Sequence, residues 1–143
     1  MKRILVLVFM LLFLGSFVSA EYAAAVDRFV NNKDGTVTDT QTGLMWADKD
    51  NGSKIQWGNA KSYCEGYIGG GKSGWRMPTI EELGQLHNSG AYGSVIGKTG
   101  YGVWSSETRG SAAAYFNFDS GSRVWDPQSF SDGPRALPVR SGK

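Results

Sequence analysis

The stretch Gly74-Trp75-Arg76-Met77-Pro78-Thr79-Ile80-Glu81-Glu82-Leu83 constrains the fold more than any other part of the chain. Trp75 and Met77 alternate with Arg76, the period-two pattern of a half-buried strand. Pro78 ends the extended run, because it has no N–H for a ladder and disfavours helical geometry in the residue before it. Thr79 and Glu82 stand at the T-x-x-E spacing of a capping box, where each side chain bonds an otherwise orphaned N–H at a helix start. A strand over 75–77 is therefore expected to turn directly into a helix from Ile80 to about Asn88. Nothing in this segment is a catalytic group.

The first twenty residues predict export. Lys2 and Arg3 precede an unbroken apolar run from Ile4 to Leu14, and Val18-Ser19-Ala20 supplies small residues for cleavage before Glu21. The run is shorter than the ~20 residues a spanning helix needs, so residues 1–20 read as a cleaved signal peptide, not an anchor. Residues 21–143 then form a single exported domain, periplasmic or extracellular, with no membrane span. Lys2 and Arg3 are two of the chain's 15 basic residues; without them the basic and the 13 acidic residues balance. A neutral domain has no overall field to recruit nucleic acid.

Cysteine and histidine exclude further classes. Cys64 is the only cysteine, so no internal disulfide forms, and together with the single His87 it cannot supply a zinc ligand set. Ala60, Tyr63, Cys64 and Tyr67 share the inward stripe of a helix expected over about Trp57 to Tyr67, which makes Cys64 a buried thiol. His87 falls near the end of the second helix, where an imidazole suits the terminal carbonyls. Asn32, Asp34 and Asp39 suggest a calcium loop, but Val30 would occupy its first ligand position and no glutamate closes it. Gly69-Gly70-Gly71-Lys72-Ser73 lacks the spacing of a phosphate loop. No metal, cofactor or catalytic residue is assigned.

Short strands are expected at Arg28–Val30, Thr36–Thr38 and Leu44–Trp46, with Asp34-Gly35 as the first hairpin signal. After a long glycine-punctuated loop, further strands fall at Val103–Ser105, Ala113–Phe118, Ser122–Trp125 and Ala136–Arg140. Strands, two helices, then strands and long loops describe an α+β domain. Aliphatic residues are sparse, and large rings such as Trp46, Trp57, Trp75 and Trp104 supply the core.

Six ordered blocks resemble a known family: Asp34-Gly35-Thr36-Val37-Thr38-Asp39, Thr42-Gly43-Leu44-Met45-Trp46, Ala60-x-x-Tyr63-Cys64, Gly74-Trp75-Arg76-Met77-Pro78-Thr79-x-x-Glu82-Leu83, Val103-Trp104-Ser105-Ser106 and Val139-Arg140-Ser141-Gly142. The pattern is similar to the Lcl C-terminal-domain family, named for the Legionella collagen-like adhesin. That resemblance implies a C-type-lectin-like fold: two helices, a small sheet joining the termini, and a long-loop region bearing a second sheet. It also implies an association with glycosaminoglycan-type polysaccharides and with oligomers. The Glu-Pro-Asn or Gln-Pro-Asp motif of calcium-dependent lectins is missing, and only Trp125-Asp126-Pro127 approaches their Trp-Asn-Asp.

The expected function is a non-catalytic binding or adhesion module, with Arg109, Arg123, Trp125 and Arg135 as ligand-binding residues. Arginines donate to sulfate or carboxylate, and an exposed indole stacks on a sugar ring. Trp125 and Val124 compete for the inward position of their strand. Two alternatives remain: a subunit that packs against an envelope or surface protein, and a hydrolase using two of Glu107, Asp119, Asp126 and Asp132.

Overall fold

The computed structural model describes residues 27–143, so the expected signal peptide lies outside the described residues. Seven strands and two helices follow in the order β1 (Phe29–Asn31), β2 (Thr36–Asp39), β3 (Leu44–Ala47), α1 (Trp57–Glu65), α2 (Ile80–Ser89), β4 (Gly102–Arg109), β5 (Ala112–Asn117), β6 (Ser122–Pro127) and β7 (Val139–Ser141). The fold is α+β. One antiparallel sheet has the order β1-β2-β3-β7 and the other β4-β5-β6. Because β7 pairs with β3, the first sheet joins the two ends of the described chain. Among the described residues, no helix is long and apolar enough to cross a membrane.

Local chemistry fixes the connections. Between β1 and β2 the chain turns through Lys33 and Gly35, both at positive φ, and Asp34 Oδ1 accepts the Thr36 N–H. The buried Asp39 carboxylate organises the β2–β3 turn. It takes a two-pronged bond from Arg28 (Nε 2.8 Å, Nη2 2.7 Å) and a bond from the Thr42 hydroxyl at 2.7 Å. Thr79 caps α2 as the sequence predicts: Glu82 N–H donates to Thr79 Oγ1 at 3.1 Å and Thr79 N–H to Glu82 Oε1 at 2.8 Å. Gly90 ends that helix at φ 72°.

Three expectations need correction. Trp75 and Met77 are buried, but their segment is not a strand. Arg76 forms a single bridge to Val139, with reciprocal N–H···O bonds of 2.9 and 3.0 Å, and Pro78 prevents any extension. Helix α1 stops at Glu65. Ala60 and Cys64 face inward as expected, whereas Tyr63 points out, 38% exposed. Tyr67 lies beyond the helix and its hydroxyl donates to the Gly35 carbonyl at 2.6 Å. The last strand covers only Val139–Ser141 instead of 136–140, because Ala136 and Leu137 bury their side chains outside the ladder.

The β4-β5-β6 sheet has a core on each face. On one, Val103 and Phe116 meet Leu83 and Leu86 of α2. His87 packs beside the rings of Phe116 and Phe118 rather than serving the helix terminus alone. On the other, Trp104, Tyr115 and Ala113 pack against Ala60, Cys64 and Met77. Indole N–H groups pin the flanking loops: Trp104 donates to Ile55 O and Trp57 to Ser105 O, both at 2.8 Å. A sheet clamped on both faces makes a rigid base for side chains at its outer strands.

Candidate functional site

Strand register decides the orientation of Trp125. Val124 lies opposite Tyr115 and packs into the cluster around Trp104, so Trp125, opposite Ala114, belongs to the other face. Arg123 lies opposite Phe116 and Arg109 opposite Ala112, which puts both on that same face. The central strand offers only Ala112 and Ala114 between them. With no bulky side chain in the way, residues from β4 and β6 meet over β5.

They meet as a stacked row. The Arg109 guanidinium carbon lies 4.3 Å from the Trp125 ring centroid, and that of Arg123 lies 5.6 Å away. Arg123 also reaches Glu107 Oε1 at 3.3 Å. Arg109 has no carboxylate partner among the described residues, so its charge is the uncompensated one. Glu107 Oε2 is buried without a hydrogen-bond partner there, which leaves the Arg123–Glu107 pair poorly satisfied. Trp125 is half-buried with an arginine over its face; the indole supports guanidinium groups and leaves less ring for a sugar than the sequence suggests.

Arg135 does not join the row. Its Nε donates to Thr99 Oγ1 at 2.9 Å, Nη1 to Gly133 O at 2.8 Å and Nη2 to Thr99 O at 3.1 Å. Its backbone bridges β4, donating to Gly102 O and accepting from Trp104 N–H. Arg135 is therefore a clamp between two loops. Only its charge marks it in the sequence, and no spacing marks the three carbonyl and hydroxyl acceptors that enclose it.

The four carboxylates weighed for hydrolysis have separate engagements. Glu107 pairs with Arg123, Asp119 with Lys98 and Asp132 with Lys54. Asp126 lies opposite Ala113, on the far face of the sheet from Trp125 and beside Tyr115, whose phenol is pushed up first by burial and then by Tyr101 and Asp126. Among the described residues, no group of three or more His, Cys, Asp or Glu side chains could hold a metal ion.

A family model described as the Lcl C-terminal domain matches residues 35–140, from the glycine of the first turn into β7. The chain belongs to the Lcl C-terminal domain family. No curated protein matches it. The matched span includes both helices, the three-stranded sheet and every residue of the Arg109–Trp125–Arg123 row. Its Lcl C-terminal domain character thus extends to the part of the fold that carries the candidate site.

Proposed function

We propose that this Lcl C-terminal domain is an exported, non-catalytic binding module of the surface-adhesin type. Its ligand is an acidic polysaccharide, met through Arg109 and Arg123 without a bridging cation. The single observation behind this reading is the Arg109 guanidinium, stacked 4.3 Å from Trp125 and left without a carboxylate. A stacked guanidinium is held in place, yet its N–H edge stays open to donate to sulfate or carboxylate oxygens. Those donors act directly, so no metal is required. The balance of charges after removal of Lys2 and Arg3 makes this a local attraction and keeps it weak.

Retention on a sulfated-glycan column tests the reading. Retention at low salt should fall steeply toward physiological ionic strength, as exposed charge contacts do. The double substitution of Arg109 and Arg123 by Ala should abolish it, and a chelator should leave it unchanged. Loss of retention with EDTA, or none at low salt, would turn the choice to an envelope-protein partner.

A further inference from the structure

A second concave site lies apart from the arginine row. A cleft of about 800 Å³ opens between the β1–β2 turn, the end of α1 and a short 3₁₀ turn at Gly69–Gly71. No residue of β4, β5 or β6 lines it. Its size falls within that of small-molecule sites. Ile68, 76% exposed, and Tyr63 stand at it with Tyr67, whose ring is 6.4 Å from that of Tyr63 and tilted by 38°. Ile68 and Tyr63 are two of the three large apolar side chains that the described residues leave exposed.

The polar groups of the cleft are one-sided. Asp34 is exposed; its Oδ1 accepts the Thr36 N–H and hydroxyl, and no hydrogen bond reaches its Oδ2 among the described residues. That oxygen overhangs Gly70, where an added Cβ would come within 3.0 Å of it. None of the lining residues is basic; Lys33, beside Asp34, and Lys72, beside Gly71, flank the lining, and Lys61 on α1 is paired with Glu65. Burial is the first cause that raises both phenols, followed by Cys64, Asp50 and Asp48 on Tyr63 and by Asp48, Tyr63 and Asp34 on Tyr67. Asp34 is thus the one charged side chain that lines the cleft.

We infer that this cleft binds an amine-bearing sugar unit, with its ring against Tyr63 and Ile68 and its ammonium at Asp34 Oδ2. Aromatic faces accept both the C–H face of a pyranose and a cation. A carboxylate oxygen with no other partner makes a charge-assisted bond to an ammonium. The glycine turn presents backbone without side chains, so a sugar ring can come close to it. The inference stands independently of the arginine row, which takes the opposite charge.

Titration of the ¹⁵N-labelled protein with a glucosamine tetramer, its N-acetylated counterpart, a heparin tetrasaccharide and tetralysine tests it. The glucosamine tetramer should shift the amides of residues 66–71 and bind several-fold more tightly than the acetylated form. Asp34→Asn keeps an oxygen for the Thr36 N–H and should erase that difference. Ile68→Ser, at an exposed position, should weaken both sugars. The inference is overturned if the glucosamine tetramer moves none of these amides, or if both sugars bind equally to the unaltered protein. It is likewise overturned if heparin or tetralysine shifts them more strongly.

Discussion

Both terminal nitrogens of Arg76 grip the Glu82 carboxylate, Nη1 to Oε1 at 2.7 Å and Nη2 to Oε2 at 2.9 Å. Oε1 also accepts the Thr79 N–H, so one carboxylate caps α2 and ties the bridge to β7 onto the helix start. Thr79→Ala removes one half of the box and should cost about 1 kcal/mol. Glu82→Ala removes the other half and the fork as well. With Arg76 partly exposed, the fork's share is discounted, and the total should be about 2 kcal/mol. Chemical-denaturation midpoints check the ranking; equal losses would mean that the fork contributes nothing.

Asp39 and Glu82 make acid stability predictable in sign. Burial pushes the Asp39 carboxyl up, but the Arg28 guanidinium and bonds from Thr42 and the Gln41 N–H outweigh it and hold the group below its ordinary value. Glu82 behaves alike: burial raises it, but Arg76 and the Thr79 N–H outweigh that and hold it below its ordinary value. A depressed folded value means that the stabilisation is complete above the unfolded values, about 3.9 for Asp and 4.3 for Glu, and is lost as pH falls through the folded ones. Urea midpoints between pH 6 and 2 should therefore drop below about pH 4. Asp39→Asn should be the less stable protein at pH 6 and converge with the unaltered one at pH 2; a constant gap would contradict the assignment.

Cys64 should stay silent toward thiol reagents. It is fully buried and unpaired in α1, and burial, followed by Glu65, pushes its thiol up to about 12. The reactive species is the thiolate, which is scarce far below that value. Ellman titration should find almost no reaction in the native protein and one thiol in denaturant. Fast labelling under native conditions would mean that α1 detaches readily from the Trp104 cluster.

Elements set by neighbouring residues were legible in the sequence; those set by distant pairing were not. The Thr79–Glu82 box and the Asp34-Gly35 turn each complete their bonding within a few residues, and each stands where the spacing puts it. The 74–77 segment has strand-like alternation, yet its one partner, Val139, is more than sixty positions away and supplies a single bridge. Tyr63 lies within α1 but turns outward at 38% exposure, and α1 ends too early to carry Tyr67. Of the four candidate site residues, Arg109, Arg123 and Trp125 meet over Ala112 and Ala114 of β5 through a strand register that no local spacing announces. Arg135 was captured by loop carbonyls that no spacing announces.

Glu107 should restrain the proposed site. Its Oε1 sits 3.3 Å from Arg123, and its Oε2 is buried with no partner among the described residues. Glu107→Gln removes a negative charge beside the arginines and the burden of a poorly solvated carboxylate oxygen. Retention on the sulfated-glycan column should move to higher salt, with the folding midpoint little changed. Unchanged retention would mean that Arg123 does not contribute and that Arg109 acts alone.

Trp125 carries no charge, so its substitution separates positioning from simple electrostatics. If the indole holds Arg109 in place, Trp125→Ala frees the guanidinium to many rotamers, and binding must then order it again. Retention should fall about as far as in Arg109→Ala, although the net charge is unaltered. The two substitutions together should add little to either alone, because they remove one contact. Trp125→Phe keeps a face for the cation and should recover part of the retention. Val124 packs against the Trp104 cluster whereas Trp125 joins neither core, so the denaturation midpoint should shift much less with Trp125→Ala than with Trp104→Ala, whose ring is fully buried. Full retention in Trp125→Ala would leave Arg109 as an ordinary surface charge. Retention lost along with the fold would make Trp125 a core residue.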